Sequence, residues 1–119
     1  MISIRDLHKA YGERAVLGGI SADVAAGQVV ALVGGSGSGK TTLLRCLNGL
    51  ETFDSGRLEV AGHALSPGVN RRGLDALRAD VGMLFQDYQL FPHLSVLDNV
   101  TLAPRIVRKI ARREAERQG

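Results

Sequence analysis

A chain of 119 residues, 45% of them apolar, amounts to about one small domain and is too apolar for global disorder. The net charge of +3 sits in one place: Arg105 to Gly119 holds six basic and two acidic residues, so residues 1–104 sum to −1 and no nucleic-acid footprint across the whole domain is implied. The lone cysteine, Cys46, excludes an intrachain disulfide, and there is no run of 18 apolar residues for a helix to cross a membrane.

In chain order, MISIRDLHKAYG has no apolar centre of a secretory leader, so none is expected. Met1 to Leu7 alternates polar and apolar residues and predicts a strand, with a turn at Tyr11-Gly12. Ala15 to Val24 predicts a second, shorter strand pair around Gly18-Gly19, and Ala26-Gly27 turns the chain again. Gln28 to Val33 is a continuous apolar and β-branched run, the pattern of a strand buried on both faces. Thr41 to Leu50 predicts a helix with Gly49 at its C-cap and with Leu43, Leu44, Cys46 and Leu47 in the core. A turn at Asp54-Ser55-Gly56 leads to a strand over Arg57–Ala61, then a loop over 62–73, a short helix over Leu74–Arg78 and a strand over Val81–Phe85. Ser95-Val96-Leu97-Asp98 fits a capping box and opens a helix that Pro104 interrupts. Ile106 to Gln118 is helix-compatible, with an arginine-rich face. The order of strand, glycine-rich loop, helix, strands and helix predicts an α/β fold.

The most informative stretch is Gly34-Gly35-Ser36-Gly37-Ser38-Gly39-Lys40-Thr41, a full match to G-x-x-x-x-G-K-[ST]. A triphosphate concentrates negative charge in a small volume. Glycines let backbone N–H groups close around it, and the helix that follows offers its free N–H groups and dipole to an anion. Lys40 is placed to reach the β- and γ-phosphates, and the Thr41 hydroxyl to ligate Mg²⁺. On its own this loop fits kinases, GTPases, helicases and many ATPases.

Further stretches narrow the choice. LHKAYGERAVL, LLRCLNGLETFDSG and VGMLFQDYQLFPHLSVLDNV, with NVTLAP after it, resemble the ATP-binding subunit of ABC transporters along essentially the whole chain, and most closely the polar amino acid importers of bacteria. Importers of other solutes, and lipoprotein or macrolide exporters, are similar here. The resemblance implies a P-loop NTPase-type core with an N-terminal antiparallel β portion over residues 1–94 and the start of a helical subdomain over 95–119. It implies ATP and Mg²⁺ as cofactors. Tyr11 would stack on the adenine and Val16 would touch the same base. Gly34, Gly35, Ser36, Gly37, Ser38, Gly39, Lys40, Thr41 and Thr42 would bind the phosphates. Gln86 would be the Q-loop glutamine, acting with Lys40 in catalysis and with Thr41 on Mg²⁺. The implied partners are membrane permease subunits, met through the Q-loop region, and a second ATP-binding subunit. The implied location is the cytoplasmic face of the bacterial inner membrane, as a peripheral protein.

Other parts of that family's pattern are missing from these 119 residues. There is no LSGGQ-like signature, since Leu17-Gly18-Gly19 precedes the phosphate loop. No run of four apolar residues is followed by Asp-Glu, and His8, His63 and His93 all stand in the wrong segments for a switch histidine. The chain therefore reads as truncated, expected to bind ATP but to hydrolyse it very slowly or not at all. Apolar faces left open predict marginal stability and self-association. Two alternatives stand beside this one: a nucleotide-binding module that works without hydrolysis, or a fragment with no function. Nucleic acid is not an expected partner, because Glu114 and Glu116 interleave with the tail arginines and no aromatic residue does.

Overall fold

The computed structural model describes residues 1–118. They form two compact units, one of residues 1–82 and a second beginning at Met83. The first holds β1 (Ile2–Tyr11), β2 (Arg14–Val24), α1 (Lys40–Leu47), β3 (Ser55–Val60), β4 (His63–Leu65) and α2 (Arg71–Asp80). The strands form one antiparallel sheet in the order β2-β1-β3-β4.

β1 carries a bulge that sets its inward face. Ile4 is buried, then Leu7 and Lys9, so the alternation slips by one residue around Asp6. Asp6 has φ 48°, and the pairing of β1 with both neighbours shifts at that point. Its N–H donates to Ser21 Oγ at 2.9 Å. Across from it, Gly56 of β3 has φ 107°, and a Cβ there would lie 2.5 Å from the Asp6 carbonyl oxygen. Only glycine fits that position.

Ile4, Leu7, Leu17, Leu58 and Val60 of the sheet form a core with Leu43 and Cys46 of α1, Leu77 of α2 and Phe53. Burying each leucine is worth about 1.5–3 kcal/mol. α1 ends in a Schellman turn, in which Gly49 N donates to Cys46 O and Leu50 N to Arg45 O at 3.1 and 2.8 Å. α2 is capped by Asn70, whose side chain accepts from Gly73 N.

The second unit holds α3 (Val96–Ile106) and α4 (Arg112–Gln118). Of the capping box expected at Ser95, the N-cap half forms, with Ser95 Oγ accepting from Asp98 N at 3.1 Å; the Asp98 carboxylate accepts from the Ser95 hydroxyl at 2.7 Å rather than from its N–H. Asp98 also draws Arg112 of α4 to 3.4 Å. One turn along, Asn99 pins the loop before α3. Its Oδ1 accepts from Phe91 N at 2.8 Å, and its Nδ2 donates to the carbonyls of Phe91, Leu94 and Ser95.

Several expectations need correction. Gln28–Val33 is not a strand: among the described residues no strand pairs with it, and Val29 and Val33 are 99% and 89% exposed. A run apolar on both faces needs neighbours on both sides, and these residues do not supply them. Val81–Phe85 is likewise unpaired, with Leu84 exposed. The pair expected over Ala15–Val24 is a single strand. The loop expected over 62–73 contains β4 and the start of α2, which is longer than Leu74–Arg78. Pro104 sits within the last turn of α3, which runs on to Ile106. Leu44 is 47% exposed, because it falls off the stripe formed by Leu43, Cys46 and Leu47.

Candidate functional site

The phosphate loop connects the unpaired run 28–33 to the N-terminus of α1. Ser38 N donates to Gly35 O at 3.3 Å and closes a turn. Gly39 is the N-cap of α1 with φ 86° and offers no side-chain cap. A Cβ there would stand 2.8 Å from the Val16 carbonyl oxygen, so the loop crosses β2 at a separation that only glycine allows. The first turn of α1 has no acidic residue, which leaves the positive end of its dipole uncompensated.

Lys40 folds back along the loop. Its Nζ donates to Gly34 O at 2.7 Å, Gly35 O at 2.6 Å and Ser38 Oγ at 3.2 Å. All three ammonium donors are thus met by oxygens of the loop itself. The charge is held at the centre of the loop, with the N–H groups of α1's first turn beside it. A Cβ at Gly34 would lie 2.7 Å from Ser38 Oγ, so the cradle is one that a larger residue would fill. Its chemistry fits an anionic phosphate chain.

A cavity of about 300 Å³ opens on this loop. Tyr11, Arg14, Val16 and residues 37–42 line it. The hairpin β1–β2 therefore brings Tyr11 and Val16 to Gly37, Ser38, Gly39, Lys40, Thr41 and Thr42, while Gly34, Gly35 and Ser36 form the start of the same loop. Gln86 stands in the second unit, exposed, in a turn after 81–85. Among the described residues no group of three or more His, Cys, Asp or Glu could hold a metal ion. Of the oxygen ligands that suit Mg²⁺, the cavity offers the Thr41 hydroxyl; most of the others would come from phosphate and water.

The Tyr11 ring is 48% exposed. Its O–H donates to Glu51 Oε2 at 2.9 Å, and Lys9 Nζ lies 4.9 Å from the ring centroid and 3.1 Å from Glu51 Oε1. The carboxylate beside it raises the Tyr11 phenol above its ordinary value. The Tyr11 O–H, and then Lys9, hold Glu51 below the usual carboxylate range. Sequence reasoning missed Lys9, Glu51 and Arg14. Strand alternation could have found Lys9, two residues before Tyr11, and hairpin pairing could have found Arg14, the register partner of Tyr11. Glu51 reaches the ring from 40 residues away, and no local signal marks it.

Residues 17–118 match the sequence profile of the ABC transporter family. The chain belongs to the ABC transporter family. It is 48% identical over 117 residues to the glutamate transport ATP-binding protein GluA of Corynebacterium glutamicum, covering 98% of this chain and 48% of that protein. It is 44% identical over 118 residues to the glutamine transport ATP-binding protein GlnQ of Escherichia coli, again over 98% of this chain and 48% of the relative. The chain thus spans about half the length of the curated relatives it matches. Among solved structures, the dimeric ATP-binding cassette MJ0796 bound to ADP and Pi superposes with a TM-score of 0.85 at 26% identity, covering 99% of this chain and 53% of that one. The fold is therefore an incomplete α/β P-loop NTPase core. No helix among the described residues is long and apolar enough to cross a membrane.

Proposed function

We propose that this chain is the nucleotide-holding N-terminal part of the ATP-binding subunit of a bacterial ABC importer for polar amino acids. The observation that carries the reading is the cavity in which Tyr11 and Val16 of the hairpin face the phosphate loop and the N-terminus of α1. In this reading the base lies on Tyr11 against Val16, and the phosphates lie along residues 34–42. Lys40 turns from the Gly34 and Gly35 carbonyls towards the β- and γ-phosphates. Thr41 holds Mg²⁺, which neutralises phosphate charge, and Gln86 has the Q-loop role that the family resemblance implies. The names of the relatives, transporters of glutamate and of glutamine, support the solute class. The whole subunit would work as a pair, engage permease subunits through the region of Gln86, and sit peripherally at the cytoplasmic face of the inner membrane. The 119 residues contain no Asp-Glu pair after an apolar strand, so this chain alone is expected to bind ATP without turning it over.

Calorimetric titration of the chain with Mg-ATP, beside Lys40→Ala, tests the reading. Charged hydrogen bonds of about 1.5–3 kcal/mol predict a loss of roughly 10- to 100-fold in affinity. Equal affinity in the two proteins would sink it. Lys40-dependent steady phosphate release would overturn the expectation of binding without turnover.

A further inference from the structure

We propose that Glu51 and Lys9 are positioning residues that fix the Tyr11 ring as the base platform of the nucleotide site and tie that platform to the phosphate-binding helix. The inference rests on the nucleotide reading above and deepens it.

A tyrosine at the end of a hairpin strand has a ring free to choose among rotamers. Here two neighbours remove that choice. The phenol O–H donates to Glu51 Oε2 at 2.9 Å. The Lys9 ammonium stands 4.9 Å from the ring centroid. Glu51 is itself held: its Oε1 takes Lys9 Nζ at 3.1 Å and Thr52 N at 3.2 Å, while its own N–H donates to Arg45 O at 3.1 Å. The C-terminal end of α1 therefore reaches the phenol oxygen, through Glu51 just beyond the Schellman turn.

The arrangement goes beyond what surface solvation needs. The Lys9 side chain is only 9% exposed, and a lysine is rarely so buried unless paired. The ring above this part-buried pair is half exposed and lines the cavity. An ion pair with one buried and one part-exposed member contributes little net stability, so its use here is better explained by the geometry it imposes on Tyr11. Lys9 occupies one side of the ring, which leaves the other for a base. Because the phenol is bonded to Glu51, which is held in turn by Arg45 O of α1, the base platform is tied to the helix that follows the phosphate loop before a ligand binds.

The test compares two probes on the 119-residue chain, ATP and inorganic tripolyphosphate, which carries the phosphates without the base. Base stacking predicts that the parent prefers ATP by roughly 5- to 100-fold. Glu51→Gln should bring that preference to within about threefold of Tyr11→Ala while leaving tripolyphosphate affinity unchanged, as expected for a group acting through the ring alone. Tyr11→Phe removes only the O–H, so folding is not at stake, and it should lose much of the preference too. The double variant Tyr11→Ala/Glu51→Gln should match Tyr11→Ala. A parent-like preference in Glu51→Gln or in Tyr11→Phe overturns the proposal. So does an equal loss for both probes in Glu51→Gln, which is what a merely structural role would give. If Tyr11→Ala removes the preference and the other variants do not, the nucleotide reading stands and this inference alone fails. If the parent binds neither probe in a Lys40-dependent way, the nucleotide reading fails and takes this inference with it.

Discussion

Replacing Gly39 by alanine should cost the fold much of its stability, and the structure says why. Gly39 caps α1 with φ 86°, a conformation that costs an L-residue about 1–2 kcal/mol. The new methyl would stand 2.8 Å from Val16 O and 3.1 Å from both Leu17 Cδ2 and Val16 Cγ1. Val16 O is a backbone atom of β2 and Leu17 is in the core, so neither can move freely; overpacking of this kind adds about 1–3 kcal/mol. The two contributions come to roughly 3 kcal/mol, more than half of what a domain at the low end of natural stability possesses. Gly35→Ala is the control, since a Cβ there meets nothing within 4 Å and its φ is not positive. Urea unfolding followed by far-UV circular dichroism reads both. At a slope of about 1 kcal/mol/M, Gly39→Ala should lower the midpoint by roughly 3 M, or fail to fold, while Gly35→Ala stays within about 0.5 M of the parent. Equal midpoints for the two variants would refute the argument that close approach to β2 dictates this glycine.

Other consequences can be measured in the same chain. Gly56→Ala should destabilise by about 2–4 kcal/mol, because its Cβ would collide with the Asp6 and Arg5 carbonyls at 2.5 and 2.8 Å; urea midpoints read it. Cys46 is 1% exposed and burial pushes its thiol up to about 11, so iodoacetamide at neutral pH should label it only at the rate of unfolding. Asn99→Ala removes four hydrogen bonds to the loop before α3, and hydrogen exchange should show the Phe91 amide accelerated by at least about tenfold. Glu51 is held below its ordinary value of 4.5 by Tyr11 and Lys9, so its stabilising contribution is complete above that pH and is lost as pH falls through its lower folded value. Glu51→Gln should therefore flatten the acid side of the stability profile.

The phosphate loop, the helix after it and the Ser95 cap were legible because each is a local pattern: the residues that make the structure lie within a few positions of one another. The two apolar runs at 28–33 and 81–85 misled for the opposite reason. Their composition reports a buried environment on both faces, while a strand exists only where a partner strand completes its ladder, and the described residues include none for either run. Leu44 shows a smaller version of the same limit, since spacing marks a face but not its edge. At the site, Tyr11 and Val16, which line the cavity, were singled out by their likeness to a family, and the residues that hold Tyr11 were not singled out at all. Glu51 meets Tyr11 through the packing of α1 on the sheet, which no short window of sequence contains.

The bulge at Asp6 has a consequence for inheritance as well as for packing. In a pleated strand the parity of a residue's position decides which side it faces, and a bulge changes that parity once. Ile4 faces inward on even numbers, Leu7 and Lys9 on odd ones. A three-base deletion that removes Asp6 would leave every downstream codon intact and yet restore strict alternation to β1. Ile2, Ile4, Leu7, Lys9 and Tyr11 would then share one face without a bulge, whereas loss of His8 instead would, with Leu7 held in the core, turn Lys9 and Tyr11 away from the phosphate loop. Substitutions along β1 can be absorbed one side chain at a time. A length change of one residue can be absorbed only at the bulge, so the length of β1 beyond Asp6 should resist mutational drift more strongly than its exposed residues do.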